Sequence, residues 1–161
     1  MLDRISEGLI LAIFLLCAVI AIPFIPFIVL HAHLSEKQFL KRYHAFLAQM
    51  NGACFFCYNS RKSSVEFARD VIVPELPASV HVVFVDGSKV MAGENSEYLS
   101  RMLYGITKRK GFPYLLKIEA GQVVDLSVNN QFYSVMVGSK SIAQLVERIY
   151  AFFGSAVSLA K

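Results

Sequence analysis

An uncharged and almost wholly apolar segment extends from Gly8 to Leu30 near the start of this 161-residue chain. A helix of that length can cross the hydrocarbon core of a bilayer. The segment is too long for the hydrophobic part of a cleavable signal peptide, and no small-x-small cleavage site follows it before His31. It also contributes to an apolar fraction of 55%, which is high for a soluble domain of this size. We therefore predict a retained membrane anchor in residues 1–34, with the span at about 8–30.

Pro23 and Pro26 leave the geometry of this anchor open. Because each proline removes a backbone donor, the segment is predicted either as one kinked span or as a re-entrant hairpin. The orientation rests on few charges: three cations follow the span within residues 37–42, whereas Arg4 and the terminal amine precede it. This asymmetry favours a cytoplasmic C-terminal domain by a small margin, so the side of the membrane stays open.

Helical and β-prone segments alternate after the anchor. Capping boxes of the form Ser-x-x-Gln at Ser35 and Ser-x-x-Glu at Ser63 predict the starts of two helices. Apolar residues at helical spacing predict a third helix from about Ser96. A β-branched run at Val80–Val85 predicts a buried strand, and a glycine-containing turn at residues 119–121 predicts a β-hairpin.

The ends of the predicted elements complete this outline. The basic run Lys108-Arg109-Lys110 is interpreted as the solvated end of the third helix, and Gly154 as the end of the last one. The predicted order is α-β-α-β-α-β-β-α. Strands separated by helices favour parallel crossovers, so we predict an α/β fold with a mixed sheet flanked by helices. This domain is assigned to residues 35–154, with a tail at 155–161.

Cys54 and Cys57 have the Cys-x-x-Cys spacing of redox sites, but they lie in an apolar, aromatic run, Ala53–Tyr58, that predicts a strand. Residues three apart on a strand point to opposite faces and cannot form a disulfide with each other. We interpret both cysteines as small hydrophobic residues of the core. In the alternative interpretation Cys54 begins a helix, and the protein is a thiol–disulfide oxidoreductase that uses this pair.

No pattern in the sequence indicates a metal site, a cofactor site or another kind of catalytic site. There is no second cysteine pair or histidine cluster to complete a metal site, and the four histidines are scattered. Gly87 and Gly93 do not form a phosphate-binding fingerprint. The net charge of +4 is modest. We therefore predict no cofactor, no metal, no nucleic-acid partner and no small-molecule substrate.

The element order, with Gly111-Phe112-Pro113 just before the hairpin, resembles the thioredoxin-like fold over about Ser35 to Gly154. Phe55–Ser60 looks like the family's first core strand and its exit, and Val80–Val85 like its next parallel strand. Arg61-Lys62-Ser63-Ser64 stands where the family carries its redox Cys-x-x-Cys. Pro113 matches the family's cis-proline. From the residues alone it can equally be a proline that opens a strand, where its missing N–H is harmless, and the sequence leaves its isomer open.

The resemblance implies a fold that has lost its redox chemistry, because Arg61 and Ser64 stand at the cysteine positions and neither can carry thiol–disulfide exchange. It also implies that Pro113 is cis and that Arg61–Ser64 and Phe112-Pro113 meet as a binding face. Membrane-tethered relatives of this fold occur in bacterial secretion and conjugation machineries, where some assist assembly. We therefore expect a redox-inactive domain anchored in a bacterial inner membrane. It would act through protein partners as an accessory or assembly factor, rather than as an enzyme.

The segment Asn129–Val137 is polar at first and then strongly β-prone. It is predicted either as a folded-back loop or as an added edge strand. An edge strand would offer unpaired backbone groups to a partner chain.

Overall fold

A computed structural model of the chain describes residues 24–157, with side chains up to residue 154. The first helix, α1, spans Ile25–Gln49, and the chain divides into two units between Arg42 and Tyr43. Ser35 lies inside α1, so the first predicted capping box is wrong as a helix start. Most of the predicted span at 8–30 lies outside the described residues. Within residues 24–157, no helix combines the length and the apolar character needed to cross a membrane.

The second unit is built on a five-stranded mixed sheet, which confirms the predicted α/β class. Its spatial order is β3-β2-β1-β4-β5. The parallel pair is β1 with β2, whereas the pairs β1/β4, β2/β3 and β4/β5 are antiparallel. The strands are β1 (Cys54–Asn59), β2 (Val80–Asp86), β3 (Lys89–Met91), β4 (Tyr114–Glu119) and β5 (Gln122–Ser127).

Two hairpins frame the sheet, and only one of them was predicted. The β4–β5 hairpin follows the predicted turn, with Gly121 at a φ of 73°. The β2–β3 hairpin was not predicted: the strand predicted at Val80–Val85 continues through Asp86 into a tight turn and a third strand. Gly87 has a φ of 58°, the left-handed conformation that glycine adopts at no steric cost.

The helices of the second unit differ from the prediction mainly at their ends. After β1 comes α2 (Lys62–Phe67), which continues into a π turn over Ala68–Ile72. Arg61 precedes α2 and Ser64 donates to the Arg61 carbonyl oxygen over 3.1 Å, so the second predicted capping box is also wrong. The remaining helices are α3 (Ser96–Tyr104), α4 (Asn129–Met136) and α5 (Ile142–Val157).

Two predicted helix ends therefore move. The helix α3 ends at Tyr104, so the basic run Lys108–Lys110 lies in the loop beyond it rather than in its last turn. The helix α5 continues through Gly154 to Val157, because an exposed glycine without a left-handed φ does not stop a helix.

The segment predicted as a loop or an edge strand is the helix α4, and neither prediction for it was right. Phe132, on this helix, is fully buried and packs edge-on against Phe67 with ring centroids 5.1 Å apart. Burial of one such aromatic ring outweighs the weak local preference of β-branched neighbours for a strand.

Buried side chains form two clusters, one on each face of the sheet. One contains Phe55 and Cys57 together with residues from α1 and α3. The other contains Cys54 and Phe56 together with residues from α2, α4 and α5. The alternation along β1 confirms the predicted strand and places the two cysteines on opposite faces.

Candidate interaction site

One end of the sheet gathers both segments that the sequence singled out. The segment Arg61–Ser64 follows the C-terminal end of β1, and Pro113 precedes the first residue of β4. Because β1 and β4 are antiparallel, with Cys57 opposite Tyr114, these two positions lie at the same end of the sheet. Asn129 follows β5 at this end, since Ser127 pairs with Tyr114.

The Arg61–Ser64 segment presents mostly polar side chains to solvent. Arg61, Lys62 and Ser63 are exposed, whereas Ser64 is buried at 5% exposure. Ser64 is held by its hydrogen bond to the Arg61 carbonyl oxygen. The segment therefore exposes two cations and one hydroxyl, and the hydrogen bond of the buried Ser64 side chain fixes its backbone.

The Phe112–Pro113 peptide bond is cis, and Pro113 is buried. Phe112 is half-buried and packs edge-on against Tyr114, with ring centroids 5.2 Å apart. The hydroxyl of Tyr114 accepts a 3.0 Å hydrogen bond from the backbone N–H of Gly111. These contacts fix the chain just before it enters β4.

The helix α4 connects the two segments. Asn129, in its first turn, donates from Nδ2 to the carbonyl oxygen of Phe112 over 2.6 Å. Tyr133, one turn later, lies close to Ser64 and Arg61, whose side chains both lower the pKa of its hydroxyl. Residues four apart on a helix lie on the same face, so a single face of α4 contacts both segments.

The pKa of the Tyr133 hydroxyl is affected by this contact. Its burial raises the pKa, but the hydrogen bonds with Ser64 and Arg61 and the positive charge of Arg61 lower it by more. The pKa of Tyr133 therefore lies below its ordinary value, because these neighbours stabilise the phenolate.

Gly111 is required by the close approach of α4. Its φ is 96°, and a Cβ at this position would lie 2.8 Å from Nδ2 of Asn129. Ser127 holds the same residue from β5 by donating to the Gly111 carbonyl oxygen over 2.8 Å. Any larger side chain at position 111 would displace the asparagine that binds Phe112.

The two cysteines of the alternative redox site are poorly placed for that chemistry. Both are free and buried, with Cys57 at 0% exposure. Burial raises the pKa of both thiols. At Cys54 the Lys117 charge partly offsets this increase and Glu119 adds to it. A reactive thiolate needs a lowered pKa and access to solvent, and this strand provides neither.

Sequence reasoning missed three polar residues of this domain. Asn129 and Tyr133 were missed because α4 was not predicted, although Val128, Phe132 and Val135 have the i, i+4, i+7 spacing of a buried helix face. Lys117 was missed because it lies within an apolar strand.

Lys117 is buried at 7% exposure on the cysteine-54 face of the sheet. Its Nζ lies 2.6 Å from Oε1 of Glu119 and 5.3 Å from the ring centroid of Phe152. Within the described residues, no three His, Cys, Asp or Glu side chains are grouped as metal ligands.

No family model, no curated protein and no solved structure matches this chain.

Proposed function

We propose that this protein is a membrane-anchored, redox-inactive member of the thioredoxin-like family that acts through protein contacts. In this role it is an accessory or assembly factor of a membrane complex, such as a bacterial secretion or conjugation machinery. The proposal makes it a binding protein rather than an enzyme.

The observation that carries the proposal is the order and direction of four strands. In the order β2-β1-β4-β5, β2 is parallel to β1 and the β4–β5 hairpin follows Pro113, which supports what the resemblance implies. The helix that follows β1 and the proline that precedes β4 also occupy that family's positions. The helix α4 contacts Phe112 through Asn129, and Ser64 and Arg61 through Tyr133. These contacts also lie at this end of the sheet.

Loss of redox chemistry follows from the residues at this end. Arg61 and Ser64 lie at the start of α2. Thiol–disulfide exchange at this place would require a thiolate that attacks sulfur, and neither side chain contains sulfur. The sulfur atoms of Cys54 and Cys57 are instead buried on opposite faces of β1. What remains at the site is an exposed polar surface suited to binding.

The anchor is proposed from the sequence. The uncharged segment Gly8–Leu30 supports it, and the bacterial inner membrane is the location that the resemblance implies. Membrane fractionation tests this part: the full chain should remain with membranes after an alkaline wash, and its release would contradict the anchor.

Site-specific photo-crosslinking of the full chain in its native membranes tests the binding face. A photoreactive residue replaces Lys62, Ser63 or Phe112, and matched controls carry it at Ser79 or Gln122. The control positions are exposed and lie at the opposite end of the sheet, where β2 begins after Ser79 and β5 begins at Gln122. We expect crosslinks to a partner protein from the first three positions. Crosslinks from the controls alone, or from none of the five positions, would contradict the proposal.

Thiol reactivity separates this proposal from the oxidoreductase alternative. In a Cys17→Ser chain, Cys54 and Cys57 should react slowly with an aromatic disulfide reagent near neutral pH and rapidly after unfolding in denaturant. Rapid reaction of the native protein would favour the oxidoreductase instead.

A further inference from the structure

A cleft opens beside Phe112, on the face of the sheet that α3 covers. It lies between the β2–β3 hairpin, α3 and the loop that leads to Pro113, and its volume is about 400 Å³. This volume falls within the range of known ligand sites. Its lining is mainly apolar and includes Val85, Val90, Leu103, Ile106, Phe112 and Tyr114.

The charge at this cleft is positive. Arg109 is the charged residue of the lining, and exposed Lys108 and Lys110 flank it in the chain. On the hairpin side, Asp86 and Lys89 bracket the turn and offset each other. The lining therefore carries one positive charge, and two further exposed cations are its neighbours in the loop.

Arg109 is held in place at the rim. Its guanidinium lies 5.8 Å from the ring centroid of Tyr104, and its Nη2 donates to the Tyr104 carbonyl oxygen over 3.4 Å. Tyr104 is itself 65% exposed. Tryptophan, tyrosine and arginine are enriched at the energetic centre of protein interfaces. Tyrosine buries a large area there at a small cost in entropy.

We propose that this cleft binds an acidic segment of the partner protein, with one large apolar side chain inserted between α3 and the hairpin. This inference rests on the proposed function and names the chemistry of the partner. The carboxylates of the segment contact Lys108, Arg109 and Lys110, while the inserted side chain contacts the apolar lining. Phe112 belongs to both the cleft and the binding face, so the two surfaces are continuous.

The spread of the cations favours a peptide over a small carboxylate. The Cα atoms of neighbouring residues are about 3.8 Å apart, so the three consecutive cations offer three separate positions for carboxylates. One carboxylate can pair with one of these cations, whereas successive acidic residues of a peptide can contact all three. The cleft is also open to solvent, which suits a chain that enters and leaves.

Fluorescence anisotropy with the full chain in zwitterionic nanodiscs tests the inference. The probe is a fluorescein-labelled, amidated peptide, Glu-Asp-Leu-Phe-Asp-Glu. Its controls are Lys-Arg-Leu-Phe-Arg-Lys, which reverses the charge, and Glu-Asp-Ser-Asn-Asp-Glu, which removes the apolar side chains. We expect the acidic apolar peptide to bind at least about tenfold more tightly than either control, and more weakly as salt is raised.

Variants of the protein locate the binding. Arg109→Glu should weaken binding about tenfold, and Ser88→Trp, at an exposed lining position of the hairpin turn, should block the cleft. Arg148→Glu is the matched control, because Arg148 is exposed on α5 at the opposite face of the sheet. Equal effects of the Arg109 and Arg148 substitutions would show nonspecific charge attraction and would overturn the inference.

Two further outcomes are decisive. If decanoate binds in the cleft and the acidic peptide does not, the site takes a small apolar acid and the inference is wrong. If Lys62 and Ser63 crosslink to a partner while no peptide enters the cleft, the inference fails and the proposed function stands. If the peptide binds in the cleft but Lys62 and Ser63 give no crosslinks, the proposed function fails and the chemistry inferred for the cleft stands.

Discussion

Asn129 and Phe112 lie seventeen residues apart in the chain and are joined by a 2.6 Å hydrogen bond from Nδ2 to the carbonyl oxygen. This bond fixes the first turn of α4 to the segment that enters β4. Through Tyr133, the same helix also contacts Ser64 and Arg61. The positions of both segments of the proposed binding face therefore depend on one short helix.

Loss of the Asn129 side chain should destabilise the fold. In Asn129→Ala the Phe112 carbonyl loses its partner in a half-buried site, at a cost of about 1–2 kcal/mol in the free energy of unfolding. Chemical denaturation measures this change. Asn130→Ala is the matched control, since Asn130 is exposed on the same helix and gains the same helix propensity. Equal effects of the two substitutions would show that the hydrogen bond contributes nothing.

Gly111→Ala should cost more than about 1 kcal/mol, because it combines an unfavourable φ with a contact to Asn129. Gly87→Ala isolates the backbone contribution, since its φ is also positive but a Cβ there meets no atom within 4 Å. Adding Asn129→Ala to Gly111→Ala should recover part of the loss, because the clashing amide is gone. Strictly additive losses in denaturation experiments would contradict the close approach.

The pKa of Tyr133 should rise when its partners are removed. Ser64→Ala and Arg61→Ala each delete an interaction that lowers this pKa, so burial should then dominate. Titration of the protein with ¹³C-labelled tyrosine follows the ring signal, which Tyr133→Phe identifies. Lys62→Ala, at the exposed neighbour in the same segment, should change the pKa less. A larger shift from the Lys62 change would rule out the contact described for Ser64 and Arg61.

Burial of Cys57 makes stability fall at high pH. Its pKa is raised in the folded state, so an unfolded chain loses this proton above about pH 8.5 while the folded chain keeps it. The free energy of unfolding should then decrease with increasing pH, by up to about 1.4 kcal/mol per pH unit from this group. The decrease should be smaller in Cys57→Ala. Identical pH profiles between pH 8 and 10 would exclude this contribution.

Phe132→Ala should destabilise the domain by about 3–5 kcal/mol, because it leaves a cavity beside Phe67 in the core. Val137→Ala, at a position 72% exposed just after the same helix, should change the stability by less than about 0.5 kcal/mol. Thermal unfolding of both variants checks the pair. A similar loss in both would place Phe132 outside the core.

The strands were the most predictable part of this fold. The runs around Cys54 and Val80 form the predicted parallel pair. The strand β1 is buried on both faces, whereas His81 and Val82 of β2 are exposed, so the prediction of a buried strand at Val80–Val85 was only partly right. Helix ends were less predictable. Ser35 and Ser63 match a capping pattern, yet Ser35 lies inside α1 and Arg61 precedes α2. A capping box specifies a helix start only where the preceding residue leaves the helical conformation, and that depends on the chain before it.

The proposed site was only half visible in the sequence. Arg61–Ser64 and Phe112-Pro113 could be selected because a resemblance assigned them positions. The residues that hold them, Asn129 and Tyr133, lie in a segment whose valines and aromatic residues favour a strand when considered locally. The cleft beside Phe112 was invisible for a similar reason, since its walls come from three separate elements.

The sequence alone determined the α/β class, the β4–β5 hairpin and the strand location of Cys54 and Cys57, because these depend on residues that are close in the chain. It also showed the uncharged segment before the domain, near Gly8–Leu30. Only the tertiary structure decided that Asn129–Met136 is a helix and that one of its faces joins the two segments. Burial of Phe132 against a distant helix overrides local preference, and no short stretch of sequence contains that contact.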